Sequence, residues 1–160
     1  MRVITPNASV TDIGTQFEVA VEGEALRIAV REGEVEVSTS GSLLHAGVRD
    51  GMGEALLLDG MALRDRQPIS PVDPHWSWTQ SARPGFKISG RSVYDYLDWA
   101  ARETGCRLVF ESDLVRQQAQ LQRFGGQGEA DTDIAQVLRT TRFQFVQNAA
   151  DELVVGFHSL

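Results

Sequence analysis

The chain has 160 residues, of which 42% are hydrophobic and 23% charged, with 22 acidic against 15 basic side chains and a net charge of −7. That composition fits a folded chain long enough for one sizeable core or two smaller ones, and no apolar run approaches the roughly 18 residues of a membrane span. The charge is uneven: residues 1–75 carry 12 acids and 6 bases, residues 76–160 carry 10 and 9. An acidic front half repels phosphate, which speaks against nucleic acid and against anionic membrane surfaces.

Residues 1–65 alternate like half-buried strands. Phe17, Val19 and Val21 share one phase, Leu26, Ile28 and Val30 the next, and Val35 and Val37 a third, the period-2 signature of a sheet with one buried face. Glu-Gly-Glu-Ala at 22–25 and Arg-Glu-Gly-Glu at 31–34 separate them, each placing a Gly where a tight turn needs one. A further apolar group, Ala55–Leu63, is split by Asp59-Gly60 as a turn. These short strands predict an all-β domain over 1–65, a meander, roll or solenoid-like sheet.

Residues 66–85 hold four of the five prolines. Proline fixes φ and removes a donor, so the segment reads as an extended linker rather than a strand. Trp76 and Trp78 lie in it; such large apolar surfaces are costly to leave in water, and the pair is expected to pack between the two halves.

The period changes in residues 86–160. Phe86 and Ile88 make a short strand. Ser92, with Asp95 three residues on, caps a helix whose Val93, Tyr96, Leu97, Ala100 and Thr104 form one face, and Gly105 stops it. Strands follow at Cys106–Phe110 and at Ala119–Phe124, then a second helix from Asp131 with Ile134, Val137 and Leu138 facing inward, then strands at 143–146 and 153–157. The fold class is therefore α+β: the all-β domain, then a small β-α-β-β-α-β-β domain.

Familiar catalytic and metal-binding patterns are missing. His45, His75 and His158 stand apart from any Cys, Asp or Glu at ligand spacing, and Cys106 has no partner for a disulfide. Asp131-Thr132-Asp133 lacks the Gly and Glu of a calcium loop and reads as a helix cap. Gly125–Gly128 lacks the residues that complete a phosphate loop. No cofactor, no metal and no turnover enzyme are expected.

One string stands out, Val10–Val19, with Gly14-Thr15 inside a strand-like run. A Gly there marks a bend or a close backbone approach. The stretch Val3–Val37, with its Thr-Pro entry, Asp-Ile-Gly-Thr-x-Phe-x-Val and Glu-Gly-x-Val-x-Val, resembles the periplasmic domain of FecR-type anti-sigma regulators, the iron-dicitrate sensor family. Asp-Pro-His-Trp-Ser-Trp at 73–78 continues the likeness, and residues 86–160 resemble the STN short domain of secretins and TonB-dependent receptors.

The resemblance implies a periplasmic signal-receiving region of a single-pass inner-membrane regulator in cell-surface signalling. Its partner would be the signalling domain of a TonB-dependent outer-membrane transducer. Contact with an extracytoplasmic-function sigma factor, and with the membrane, would run through segments absent from these 160 residues. The partner is expected on residues 86–160, along the polar edge presented by Gln118, Gln120, Gln122 and Arg123. Some members of the family are processed at the matching Gly-Thr bond, which implies single-turnover self-cleavage with Thr15 as nucleophile, Gly14 as acyl donor and Asp12 as an orienting group. The rival reading is a small-ligand module, with Trp76 and Trp78 forming a carbohydrate or siderophore site.

Overall fold

The computed structural model describes residues 1–82 and 85–158, with Gln80 and Ser81 described by their backbone alone. Strand accounts for 45% and helix for 21%, an α+β composition. The chain forms two compact units, Met1–Asp73 and Pro74–Leu160.

In the first unit eight strands run β1 Arg2–Ile4, β2 Ser9–Asp12, β3 Gln16–Glu22, β4 Ala25–Glu32, β5 Glu34–Ser38, β6 Leu43–Gly47, β7 Gly53–Asp59 and β8 Ala62–Ile69. They form two antiparallel four-stranded sheets, in the orders β1-β2-β5-β6 and β3-β4-β7-β8. One core joins the sheets: Val10, Val35, Val37 and Ala46 come from the first, and Leu26, Ile28, Val30, Leu56 and Leu58 from the second. This corrects the expected meander or solenoid. A lone sheet would leave one of these apolar rows in water, whereas two facing sheets bury both. Phe17 and Val19 pack against the core as half-buried residues, while Val21, at the far end of the edge strand β3, is exposed.

Residues 66–82 also differ from the linker expected over 66–85, of which Arg83 and Pro84 lie outside the described residues. Arg66–Ile69 completes β8, pairing with β7 from Leu56↔Arg66 to Gly53↔Ile69. Pro68 is tolerated because β8 is the sheet edge, where a missing N–H costs no ladder bond. Ser70–Asp73 turns, with the Asp73 amide donating to the Ser70 carbonyl, and Pro74–Trp78 coils into a 3₁₀ turn that leads to α1, Thr79–Ala82.

The second unit continues with β9 Phe86–Lys87, α2 Val93–Thr104, β10 Arg107–Phe110, α3 Asp113–Leu121, β11 Glu129–Ala130, α4 Ile134–Leu138, β12 Phe143–Gln147 and β13 Glu152–Phe157. Strands β10, β13 and β12 form a mixed sheet in that order, β10 parallel and β12 antiparallel to β13, and β9 pairs with β11. Its core gathers Val93, Tyr96, Leu97 and Ala100 of α2, Val115 and Ala119 of α3, Ile134 and Leu138 of α4, and Phe143, Leu153 and Val155 of the sheet. Of the expected strand at Ala119–Phe124, Ala119–Leu121 is instead the end of a helix, Gln122 is its extended cap and Arg123 makes only an isolated antiparallel bridge to Ser92. Val115 and Ala119 are buried four residues apart, the Ser112 hydroxyl accepts from the Val115 amide at 3.3 Å, and the run is rich in strong helix formers. The helix expected from Asp131 begins at Ile134, with Asp133 as its cap.

α2 is the most fully specified element. Ser92 Oγ accepts from the Asp95 amide at 3.0 Å and Asp95 Oδ2 accepts from the Ser92 amide at 3.0 Å, a complete capping box. Gly105, at φ 78°, closes the other end. The Ser92 amide beside Asp95 holds its carboxyl below the ordinary 3.8. The box is therefore complete above that value and is lost as pH falls through the lowered one. Ser92→Ala is expected to cost the second unit about 1 kcal/mol, read from thermal unfolding followed by the fluorescence of Trp99, which lies 5.4 Å from Phe86. An unchanged transition would show that the box contributes nothing.

Candidate functional site

The order of strands in the first unit requires the chain to change sheet three times. It leaves the first sheet between β2 and β3 at Ile13–Thr15, returns between β4 and β5 at Gly33, and leaves again between β6 and β7 after Gly47. Gly33 was expected in a tight hairpin turn; instead it is a single-residue step from one sheet to the other. The first and second crossings are joined by the Ile13 amide donating to the Glu34 carbonyl at 3.3 Å, the second and third by the Val48 amide donating to the Gly33 carbonyl at 3.1 Å. Three backbone crossings thus meet at one end of the sandwich.

The first crossing is organised by one carboxylate oxygen. Asp12 Oδ1 accepts from the Gly14 amide at 2.7 Å, the Thr15 amide at 2.8 Å and the Thr15 hydroxyl at 2.5 Å. Gly14 sits at φ +87° with open space where a Cβ would project, so backbone conformation, not crowding, calls for glycine there. The Thr15 hydroxyl, with help from the Gly14 amide, holds the Asp12 carboxyl below its ordinary 3.8 against the opposing effect of partial burial. Asp12 is accordingly ionised across the neutral range.

This geometry brings together the residues singled out around Gly14-Thr15. A hydroxyl, the carbonyl carbon before it and the amide nitrogen between them are the three parts of an intramolecular acyl shift. Asp12 holds the hydroxyl and the nitrogen on a single oxygen. Gly33 is the residue that the sequence reading placed only in a turn; its Glu-Gly-x-Val-x-Val context was visible, but the neighbour it meets across the sandwich was not.

The other candidate residues are dispersed. Gln118 and Gln120 lie on α3 and Gln122 is its C-cap, so they form no sheet edge. Gln118 Oε1 accepts from Arg142 at 3.3 Å, and Arg123 donates to the Gly90 carbonyl at 3.4 Å. The edges of the three-stranded sheet are β10 and β12. Beside β10 a groove of about 570 Å³ is lined by Tyr94, Asp98, Leu108, Phe110, Asp113 and Arg116. There Tyr94 stacks on Phe110 at 5.7 Å, and the Arg116 guanidinium lies 5.8 Å from the Tyr94 ring. Trp76 is buried at 4% exposure and Trp78 is 47% exposed, so the two do not present one open aromatic platform. Among the described residues no three His, Cys, Asp or Glu side chains gather as metal ligands, and no helix is long and apolar enough to cross a membrane.

No protein family and no curated protein matches this chain. Among solved structures it is similar to a putative anti-sigma factor from Parabacteroides distasonis ATCC 8503, in crystal structures at 1.65 and 2.50 Å. In both the identity is 17% and the TM-score 0.38, over 99% of this chain and 71% of that one. The likeness is too distant to carry a role across.

The lowered Asp12 carboxyl gives a direct check on the site. A group whose folded value is depressed contributes stability that is present above its ordinary value and is lost as pH falls through the folded one. The Thr15 amide resonance is expected to titrate with a midpoint below 3.8. Asp12→Asn should destabilise the first unit at neutral pH and cease to matter at pH values below that midpoint. A midpoint at or above the ordinary value would contradict the hydrogen-bond pattern.

Proposed function

We propose that this chain is the periplasmic signal-receiving region of a FecR-type anti-sigma regulator, with its second unit acting as an STN-like docking domain. The observation that carries the reading is the Asp-Ile-Gly-Thr-x-Phe-x-Val string, whose polar residues are all engaged in one structured sheet crossing. The partner in this reading is the signalling domain of a TonB-dependent outer-membrane transducer, and sigma-factor control runs through parts of the regulator outside these residues.

Because Ala119–Leu121 is helical, docking moves from the expected edge at 118–124 to an edge of the three-stranded sheet. β10 is the better edge, since its groove adds a stacked aromatic pair and an exposed guanidinium to the unpaired backbone. A partner strand added there would gain ladder bonds and side-chain recognition together. The whole chain should bind the transducer domain in calorimetry. Arg116→Glu is expected to weaken binding by about tenfold, as charge reversal within an interface does, while Val146→Lys on β12 leaves it intact. Absence of binding by the parent chain would overturn the reading.

A second reading concerns the Gly14-Thr15 bond and is favoured by the Asp12 contacts. The Thr15 hydroxyl oxygen attacks the Gly14 carbonyl carbon, and the Gly14–Thr15 C–N bond breaks. The hydroxyl proton passes to the Thr15 nitrogen by way of Asp12, which touches both atoms. The product is an ester with a free Thr15 amine. Water then hydrolyses the ester to a Gly14 carboxylate and restores the Thr15 hydroxyl. Because the carboxylate is the proton carrier, the rate should be constant from neutral pH down to the acidic range and fall as pH drops through the lowered Asp12 value. Thr15→Ala should abolish the reaction and Asp12→Asn slow it by about a hundredfold, followed by mass spectrometry under denaturing conditions. Denaturant matters because β2 stays paired between β1 and β5, with Val10 fully buried. Equal rates for parent and Asp12→Asn would remove Asp12 from the mechanism.

A further inference from the structure

The second sheet crossing makes a close approach to the first. A Cβ built on Gly33 would lie 2.6 Å from the Gly14 carbonyl oxygen, 2.6 Å from Thr15 Cγ2 and 3.2 Å from Thr15 Cα. Separations below 3.0 Å require something to shift, and two of these three atoms are backbone. The same test at Gly14, Gly23 and Gly60 finds open space. Gly33 therefore differs from the turn glycines in kind: its bare α-carbon is pressed against the very peptide unit that Asp12 holds.

The press has a firm backing. The Gly33 carbonyl accepts from the Val48 amide of the third crossing at 3.1 Å. Gly47 brings its α-carbon up to that same carbonyl, where a Cβ would stand 3.1 Å away. Two residues before Gly33, the buried Arg31 donates through Nε to the Pro71 carbonyl at 2.6 Å. Gly33 is thus held through its own carbonyl by the third crossing.

We propose that Gly33 is a positioning residue for the Gly14-Thr15 bond. It leaves no room beside the Gly14 carbonyl oxygen and the Thr15 Cα and Cγ2, while Asp12 holds the Gly14 and Thr15 amides and the Thr15 hydroxyl, so the reacting peptide is confined from two directions. The proposal rests on the acyl-shift reading above. A side chain at Gly33 would push the Gly14 carbonyl and Thr15 away from the arrangement on Asp12. Displacements of this size, on the order of 1 Å, cost up to about a hundredfold in reactions that depend on near-attack geometry.

The test compares cleavage rates of the full chain carrying Gly33→Ala, Gly33→Asn or Gly60→Ala. Asn tolerates the left-handed backbone that Gly33 adopts at φ +79°, so Gly33→Asn separates the added Cβ from backbone strain. Gly60→Ala, at φ +56° in open space, reports the strain alone. Both Gly33 variants should cleave at least about tenfold more slowly than the parent, and Gly60→Ala at the parental rate. Val37→Ala, which opens a cavity in the same core, shows how rate follows stability, and the Gly33 variants should fall below that line. The Asp12 titration midpoint should also rise towards the ordinary value in Gly33→Asn. Parental rates in Gly33→Asn, or losses that only track stability, would overturn the positioning role and leave the acyl shift standing. An intact parent chain would overturn both.

Discussion

Asp12 Oδ1 receives three hydrogen bonds from two consecutive residues, and the arrangement of the first unit depends on that contact. A strand that ends in Asp-Ile-Gly-Thr cannot run straight on. The carboxylate folds Gly14 and Thr15 back towards itself, Gly14 takes the left-handed conformation that this demands, and the next strand begins in the other sheet. Had the chain continued as a hairpin, β3 and β4 would have joined the first sheet and left the row Leu26, Ile28 and Val30 without a partner face. The local turn and the global sandwich are one choice made at one carboxylate.

The crossing that sends the chain from one sheet to the other is also closely held. The Asp12 carboxylate holds Gly14 and Thr15 by three hydrogen bonds, and Gly33 packs so near them that a Cβ would have no room. The second unit carries an accessible edge and groove, and the first carries a bond whose neighbours are already in place.

Much of this was legible in the sequence, and the failures have physical causes. The strand phases of Leu26, Ile28, Val30, Val35 and Val37 were readable because each buried row repeats every two residues. The face of α2 and its capping box were readable because all their partners lie within four residues. What could not be read was which strands sit together. Alternation says that a face is buried but not what covers it, so a meander and a sandwich look alike until the crossings are seen. The run at Gln118–Phe124 misled because Ala119 and Leu121 mimic a period of two, while the signal that decides, Val115 with Ala119, starts further back. Proline at position 68 signalled a break, yet an edge strand accepts it. At the candidate site, Asp12, Gly14 and Thr15 were close enough in sequence to be linked by inspection; Gly33, eighteen positions beyond Thr15, needed the fold.

The second reading makes the sheet crossing at Asp12–Thr15 a reactive, held peptide rather than a simple bend, and it is the one that the first unit's geometry supports. Intact-mass analysis of the purified full chain during prolonged incubation at neutral pH, with the new ends identified by fragmentation, tests it most directly. The expected result is a single cut that leaves Gly14 as the new carboxyl end and Thr15 as the new amino end, preceded by an ester that hydroxylamine traps. A chain that stays intact, or one that is cut at other bonds at a rate unaffected by Thr15→Ala, would contradict it.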